Sequence, residues 1–169
     1  MPELIATRAL QDCQPASGGG ASLRAIAPVP IWSVALFPGA QWAALPAPGR
    51  WASLGEGRIV WTGFEQAFIF GTLPDHLPEA AITDQSDGWE GFGLAGPGAV
   101  AALARLVGID LRAGAFGPGS VARTGLNHVP ALILRTADED FEIFVPRSMA
   151  LTALEELTAV LARLQARAG

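Results

Sequence analysis

Lysine and tyrosine are absent from this chain of 169 residues, and cysteine occurs once. Without lysine, the chain can form neither a Schiff base with a substrate nor a phosphate-binding loop that depends on a lysine ammonium group. The single cysteine, Cys13, excludes an intrachain disulfide bond and a metal site built from several cysteines. Charged residues make up only 16% of the chain, and the net charge is −5. With no basic cluster, the chain lacks the positive surface that nucleic acids require.

Long hydrophobic runs are also missing, since no apolar stretch approaches the roughly 20 residues of a membrane-spanning helix. The N-terminus shows no charged segment leading into an apolar run, so no secretory signal is predicted. Apolar residues nevertheless make up 50% of the chain, enough for one domain with a substantial core. We therefore expect a soluble, cytoplasmic protein with no nucleic-acid or membrane partner.

Glycine and proline divide the chain into short elements. The segment 1–22 ends in a run of glycine and serine at 17–22, which predicts a flexible N-terminal segment before a single domain at 23–169. Short apolar runs predict several strands, and two pairs of them form β-hairpins: 58–62 with 67–70, and 129–135 with 141–145.

Two helices are predicted. Pro97 can begin the first, whose apolar stripe runs to Val107 before Gly108 ends it. The second follows a cap at Ser148, and its stripe is formed by Ala150, Leu154, Leu157, Leu161 and Leu164. Hairpins and helices in this order predict an α+β domain, a largely antiparallel sheet with helices on one side.

Three glycines, Gly91, Gly93 and Gly96, have the spacing of a dinucleotide-binding loop, and Asp110 stands near the expected acidic position. That fingerprint requires a buried strand directly before the first glycine, whereas 86–90 has the sequence of a turn. In a chain with 20 glycines such a spacing arises by chance, so we reject nucleotide binding.

The two histidines, His76 and His128, could bind a metal only together with carboxylates such as Asp75 or Asp84. Nothing near either histidine supplies a third ligand at a recognisable spacing, so we interpret both as exposed loop residues. A catalytic set of Ser86, His128 and Asp84 lacks the strand-turn-helix context of a nucleophile elbow.

Other polar residues have a structural and a functional interpretation. Asp84, Ser86 and Asp87 either bond nearby backbone amides in a turn or anchor a ligand or partner. Arg147 and Ser148 either cap a helix or bind a carboxylate through two hydrogen bonds.

Two remaining candidates have simpler interpretations. Cys13 is predicted to be a structureless thiol in the N-terminal segment. The acidic run at 138–140 is predicted to be a solvated hairpin tip. No catalytic, cofactor-binding or metal-binding residue is assigned from the sequence.

Six short motifs follow one another along the chain: Asp84-x-Ser86-Asp87, Leu94-Ala-Gly96-Pro97-Gly98-Ala99, Asp110-Leu111, Phe116-x-Pro118-Gly119, Ala122-Arg123-Thr124 and Val145-x-Arg147-Ser148-x-Ala150. As an ordered set over about residues 23–161, they resemble the gamma subunit of heterotetrameric sarcosine oxidase. A weaker form of the pattern is similar to the aminomethyltransferase (glycine-cleavage T-protein) superfamily. The turn at 63–66 and Arg112 depart from the family pattern.

The resemblance implies the fold of the folate-binding domain of aminomethyltransferases and a non-catalytic, structural role in sarcosine catabolism. The larger flavoprotein subunits of such a complex would carry the flavins, the nicotinamide nucleotide and tetrahydrofolate, and would oxidise N-methylglycine with one-carbon transfer. This chain would hold no cofactor and, when isolated, could form a homo-oligomer. The alternative is a stand-alone folate-binding domain of one-carbon metabolism, in which Asp84 or Glu65 accepts N–H bonds from a pterin ring.

Overall fold

The computed structural model describes residues 8–168, which form eleven strands and two α-helices. In chain order the elements are β1 (Ala16–Gly18), β2 (Ala21–Ala25), β3 (Ile31–Leu36), β4 (Trp51–Leu54), β5 (Gly57–Gly63), β6 (Gln66–Phe70), β7 (Ala80–Asp84), β8 (Trp89–Ala95), α1 (Ala99–Leu103), β9 (Val121–Leu126), β10 (Val129–Arg135), β11 (Asp140–Pro146) and α2 (Ala150–Ala168). Single 3₁₀ turns, Ser86–Gly88 and Arg147–Met149, precede β8 and α2.

The strands pair antiparallel in two sheets, which we call sheet 1 and sheet 2. Sheet 1 has the order β1-β2-β8-β11-β10-β9, and sheet 2 has the order β4-β5-β6-β3-β7. The predicted α+β class is confirmed, as are the hairpins β5–β6 and β10–β11. The antiparallel pairing is divided between two sheets, whereas the sequence pattern predicted one.

Sheet 1 is the middle layer because both of its faces are buried. In β11, Phe141, Ile143 and Val145 pack with the helices in a first core, while Phe144 packs against sheet 2 in a second core. Successive side chains of a strand point to opposite faces, so one strand serves two cores. The helices therefore cover one side of sheet 1, as predicted, and sheet 2 covers the other.

A third, smaller core lies on the outer face of sheet 2. Val34, Ile59 and Ile69 are buried there beneath apolar side chains of the loops that follow β3 and β6, which include Trp42, Leu45, Leu73 and Leu77. Both faces of sheet 2 are thus covered, and its edges remain at the surface.

The N-terminal segment differs from its prediction as a linker. Its described residues, 8–22, include the buried Leu10, strand β1 and the start of β2, with which β1 forms a hairpin. The glycines serve close packing: a Cβ on Gly18 would lie 2.5 Å from the Leu161 carbonyl oxygen of α2, and the Gly98 amide donates to the Gly20 carbonyl at 3.1 Å. Residues 1–7 of the predicted flexible segment lie outside the described residues.

Helix α2 packs the predicted stripe against the first core: Leu157 and Leu161 are buried, and Leu154 and Leu164 are partly buried. Helix α1 is shorter than predicted, because the Leu106 carbonyl accepts the Asn127 amide at 2.7 Å and Val107 forms a bridge with Leu126 of β9. Ser148 lies within a 3₁₀ turn rather than directly before α2. Neither helix in residues 8–168 has the length and hydropathy to cross a bilayer.

Candidate functional site

The polar turn after β7 is built by local hydrogen bonds. The Asp84 carboxylate accepts from the Ser86 amide at 2.9 Å and from the Ser86 hydroxyl at 2.6 Å. These bonds hold the pKa of Asp84 below its ordinary value. The Ser86 hydroxyl in turn accepts the Ile31 amide at 3.0 Å, so the turn is tied to the start of β3. This geometry favours the structural interpretation of Asp84 and Ser86.

Arg147 and Asp87 connect this turn to the start of α2. One Arg147 nitrogen lies 3.5 Å from an Asp87 carboxylate oxygen. The Asp87 side chain is fully exposed, so the pair contributes little to stability.

The histidines are both exposed and belong to different sheets. His76 lies in the loop between β6 and β7 of sheet 2, and His128 lies in the turn between β9 and β10 of sheet 1. Within residues 8–168, no three side chains of His, Cys, Asp or Glu are grouped as metal ligands.

Two of the three motif glycines lie inside a strand instead of a phosphate-binding turn. Gly91 and Gly93 are part of β8, between β2 and β11, and a Cβ on Gly91 would lie 2.7 Å from the Phe144 ring. Asp110 bonds to Arg112, whose side chain and amide donate to it at 2.9 and 3.0 Å and lower the pKa of Asp110 to about 2. Gly91 therefore has a packing role, and Asp110 has a local hydrogen-bonding role.

Cys13 differs from its prediction as a structureless thiol. It directly follows a turn and packs against the first core, and burial raises the pKa of its thiol, which disfavours the reactive thiolate. The acidic run at 138–140 is the exposed tip of the β10–β11 hairpin, as predicted.

The cluster around Arg58 on β5 was not identified from the sequence. Its guanidinium pairs with Glu142 of β11 and lies 5.0 Å from the centre of the Phe70 ring and 5.7 to 5.8 Å from the rings of Phe144 and Trp51. The side chains of Arg58 and Glu142 are 19% and 23% exposed, so the pair is largely shielded from water. Arg58 thus links sheet 2 to sheet 1.

A groove of about 410 Å³ opens beside this cluster, where the two sheets meet. Trp51 and Phe70 form part of its wall, and Ser53, Glu56 and Glu142 add polar atoms. Its size is in the range of small-molecule sites. However, the Arg58 guanidinium already lies over the aromatic rings and pairs with the Glu142 carboxylate. A ligand could therefore reach the ring faces or either charged group only if Arg58 moved.

Two further charged side chains are buried, and both have internal partners. Glu90 is 4% exposed and accepts from Arg8 at 2.7 Å and from the Ala9 amide at 3.1 Å. Arg135, also 4% exposed, donates to the carbonyls of Leu111 and Phe116 at 3.0 and 2.7 Å. These bonds fix the N-terminal segment and the loop before β9, which are structural roles.

Two comparisons with known proteins give matches. Residues 52–168 match the family model described as the GCVT N-terminal domain. No curated protein sequence matches the chain. Among solved structures, a chain of the heterotetrameric sarcosine oxidase from Corynebacterium sp. U-96, in complex with pyrrole 2-carboxylate, is similar with a TM-score of 0.79 and 17% identity. The match covers 95% of this chain and 96% of that chain, so the two are similar in length as well as in fold.

Proposed function

Since this chain belongs to the family of the GCVT N-terminal domain, as its ordered motifs predicted, we propose that it is a non-catalytic, gamma-type subunit of a heteromeric sarcosine oxidase. In this proposal the larger flavoprotein subunits carry the flavins, the nicotinamide nucleotide and tetrahydrofolate. They oxidise N-methylglycine and transfer the one-carbon unit, while this chain supports their assembly. The cytoplasmic location expected from the sequence is part of the same proposal.

One observation carries the proposal: nearly the whole of this chain has the fold of nearly the whole of one chain of a heterotetrameric sarcosine oxidase. In that enzyme, a polypeptide of this size and shape is one chain of a larger assembly. Two acids that the sequence analysis considered as site residues, Asp84 and Asp110, add support, because local hydrogen bonds that stabilise the fold hold both carboxylates.

Co-expression with the large flavoprotein subunits of the same organism tests this function. We expect the chain to co-purify with them in a fixed ratio, and the complex to produce hydrogen peroxide from N-methylglycine. Omission of the chain should lower the yield of assembled complex. A chain that remains alone in size-exclusion chromatography, beside large subunits that assemble and turn over fully without it, would contradict the proposal.

A stand-alone folate-binding domain is the second candidate, and the groove beside Arg58 is the observation that favours it. Asp84 and Glu65 do not line this groove. They flank β3 on opposite sides, since Asp84 pairs with Trp32 while Glu65 accepts the Leu36 amide. A pterin in the groove would therefore have to meet Glu56 or Glu142, with Trp51 and Phe70 as stacking surfaces.

Calorimetric titration of the isolated chain with tetrahydrofolate separates the two candidates. The subunit proposal predicts no heat of binding, because the aromatic faces and Glu142 are engaged by Arg58. Saturable binding that is lost in Trp51→Ala, but kept in a variant of an exposed residue outside the groove such as Thr158→Ala, would favour the folate-binding domain.

A further inference from the structure

Two phenylalanines are exposed at one corner of sheet 2. Phe64, in the turn between β5 and β6, is 84% exposed, and Phe37, directly after β3, is 51% exposed. Backbone hydrogen bonds place them together: the Leu36 amide donates to the Glu65 carbonyl at 2.9 Å, and the Phe37 amide donates to the Glu79 carbonyl at 3.0 Å. We call Phe37, Phe64, Glu65 and Glu79 the acidic-apolar corner.

The intramolecular packing of the chain does not account for Phe64. At 84% exposure the Phe64 ring contributes little to any core. The same turn holds Glu65 at a φ of +53°, a conformation that is unfavourable for residues other than glycine. Aromatic side chains, phenylalanine included, are enriched at protein interfaces relative to the rest of the surface.

The segment that contains sheet 2, residues 31–88, is more acidic than the rest of the chain. Between residues 31 and 88, six side chains are acidic and two are basic, whereas the remaining residues include ten acidic and nine basic side chains. Both basic residues of this segment have internal partners: Arg50 donates to the Ser120 hydroxyl at 3.1 Å, and Arg58 pairs with Glu142. The corner therefore combines apolar rings with a negative field that no nearby cation within this segment cancels.

We propose that the acidic-apolar corner is the surface that docks onto a larger subunit, whose contact site is an apolar pocket rimmed by arginine or lysine. This inference rests on the proposed function and adds the location and chemistry of the contact. Charge complementarity selects this occupant, because two copies of the chain meeting at this corner would bring like charges together.

The test measures the affinity of the purified large-subunit assembly for variants of this chain. Phe64→Ser should raise Kd at least about tenfold, the effect of removing an aromatic anchor, and should leave the melting temperature nearly unchanged. The matched control is Leu151→Ser on α2, which removes a 58% exposed apolar side chain away from the corner and should change Kd by less than about twofold. Glu79→Arg should also weaken binding, most strongly at low salt.

The outcomes separate this inference from the proposed function. If the wild-type chain binds and Phe64→Ser binds equally well, the corner is not the interface and the proposed function is unaffected. If the wild-type chain binds no large subunit, both are overturned. If the isolated wild-type chain is a dimer that Phe64→Ser converts to a monomer, the corner holds a second copy and the proposed partner is wrong.

Discussion

Arg58 of β5 forms an ion pair with Glu142 of β11, and this pair joins the two sheets at the rim of the second core. Both side chains are largely shielded, so replacement of one leaves the other with an unpaired charge in a partly apolar site. Arg58→Gln and Glu142→Gln should each lower the free energy of unfolding by about 1–3 kcal/mol, between the values for exposed and buried pairs. The double variant should lower the free energy of unfolding by less than the sum of the two single variants, as measured by urea unfolding. Strict additivity would contradict the coupling.

The contact between Gly98 and the β1–β2 turn gives a second prediction. A Cβ on Gly98 would lie 2.0 Å from the Gly19 carbonyl oxygen, so Gly98→Ala requires the backbone to move. Overpacking of this kind typically costs about 1–3 kcal/mol. Gly114→Ala is the control, because a Cβ there meets no atom within 4 Å, and its change should stay within about 0.5 kcal/mol. Equal stability of the two variants in thermal unfolding would show that the turn yields without cost.

Asp110 should titrate at an unusually low pH. Hydrogen bonds from the Arg112 side chain and amide lower its pKa from 3.8 to about 2 in the folded protein. The ionised form is therefore favoured by folding, and its contribution to stability is present above about pH 4 and lost as the pH falls toward 2. A carboxyl NMR titration should return the pKa of Asp110 toward its ordinary value in Arg112→Gln. An unchanged pKa in that variant would contradict the assigned cause.

Glu90 should hold the N-terminal segment against the sheet. Since it accepts both the Arg8 guanidinium and the Ala9 amide, Glu90→Ala should release residues 8–13 and leave β8 paired. Amide hydrogen exchange at Ala9 and Leu10 should accelerate at least about tenfold, because local opening then costs less free energy. Asp12→Asn, a change of an exposed acid in the same segment, is the control and should leave both rates unchanged.

Elements with strong local patterns could be predicted from the sequence. The β10–β11 hairpin and α2 were found because apolar residues recur at the period of a strand or a helix. Strand β9 was missed because Val121–Leu126 includes Arg123, Thr124 and Gly125 and has no apolar run. Strand β1 was missed because glycines that allow close approach to α2 have the same composition as a flexible linker.

The candidate site was harder to predict than the fold. Arg58 and Glu142 are 84 residues apart in the chain, so their pairing follows from the packing of two sheets and from no local spacing. One signal was available: Glu142 shares a strand face with Phe144 in an otherwise apolar run. The resemblance to a family supplied the fold, and it did not indicate which side chains would meet.

The double use of β11 also determines how the protein should lose its structure. Ile143 belongs to one core and Phe144 to the other, so disorder in this strand removes a wall from both cores at once. The two sheets should therefore melt in a single cooperative transition. A form in which only sheet 2 had come apart would present Leu132, Leu134 and Phe144 to water and would be prone to aggregate.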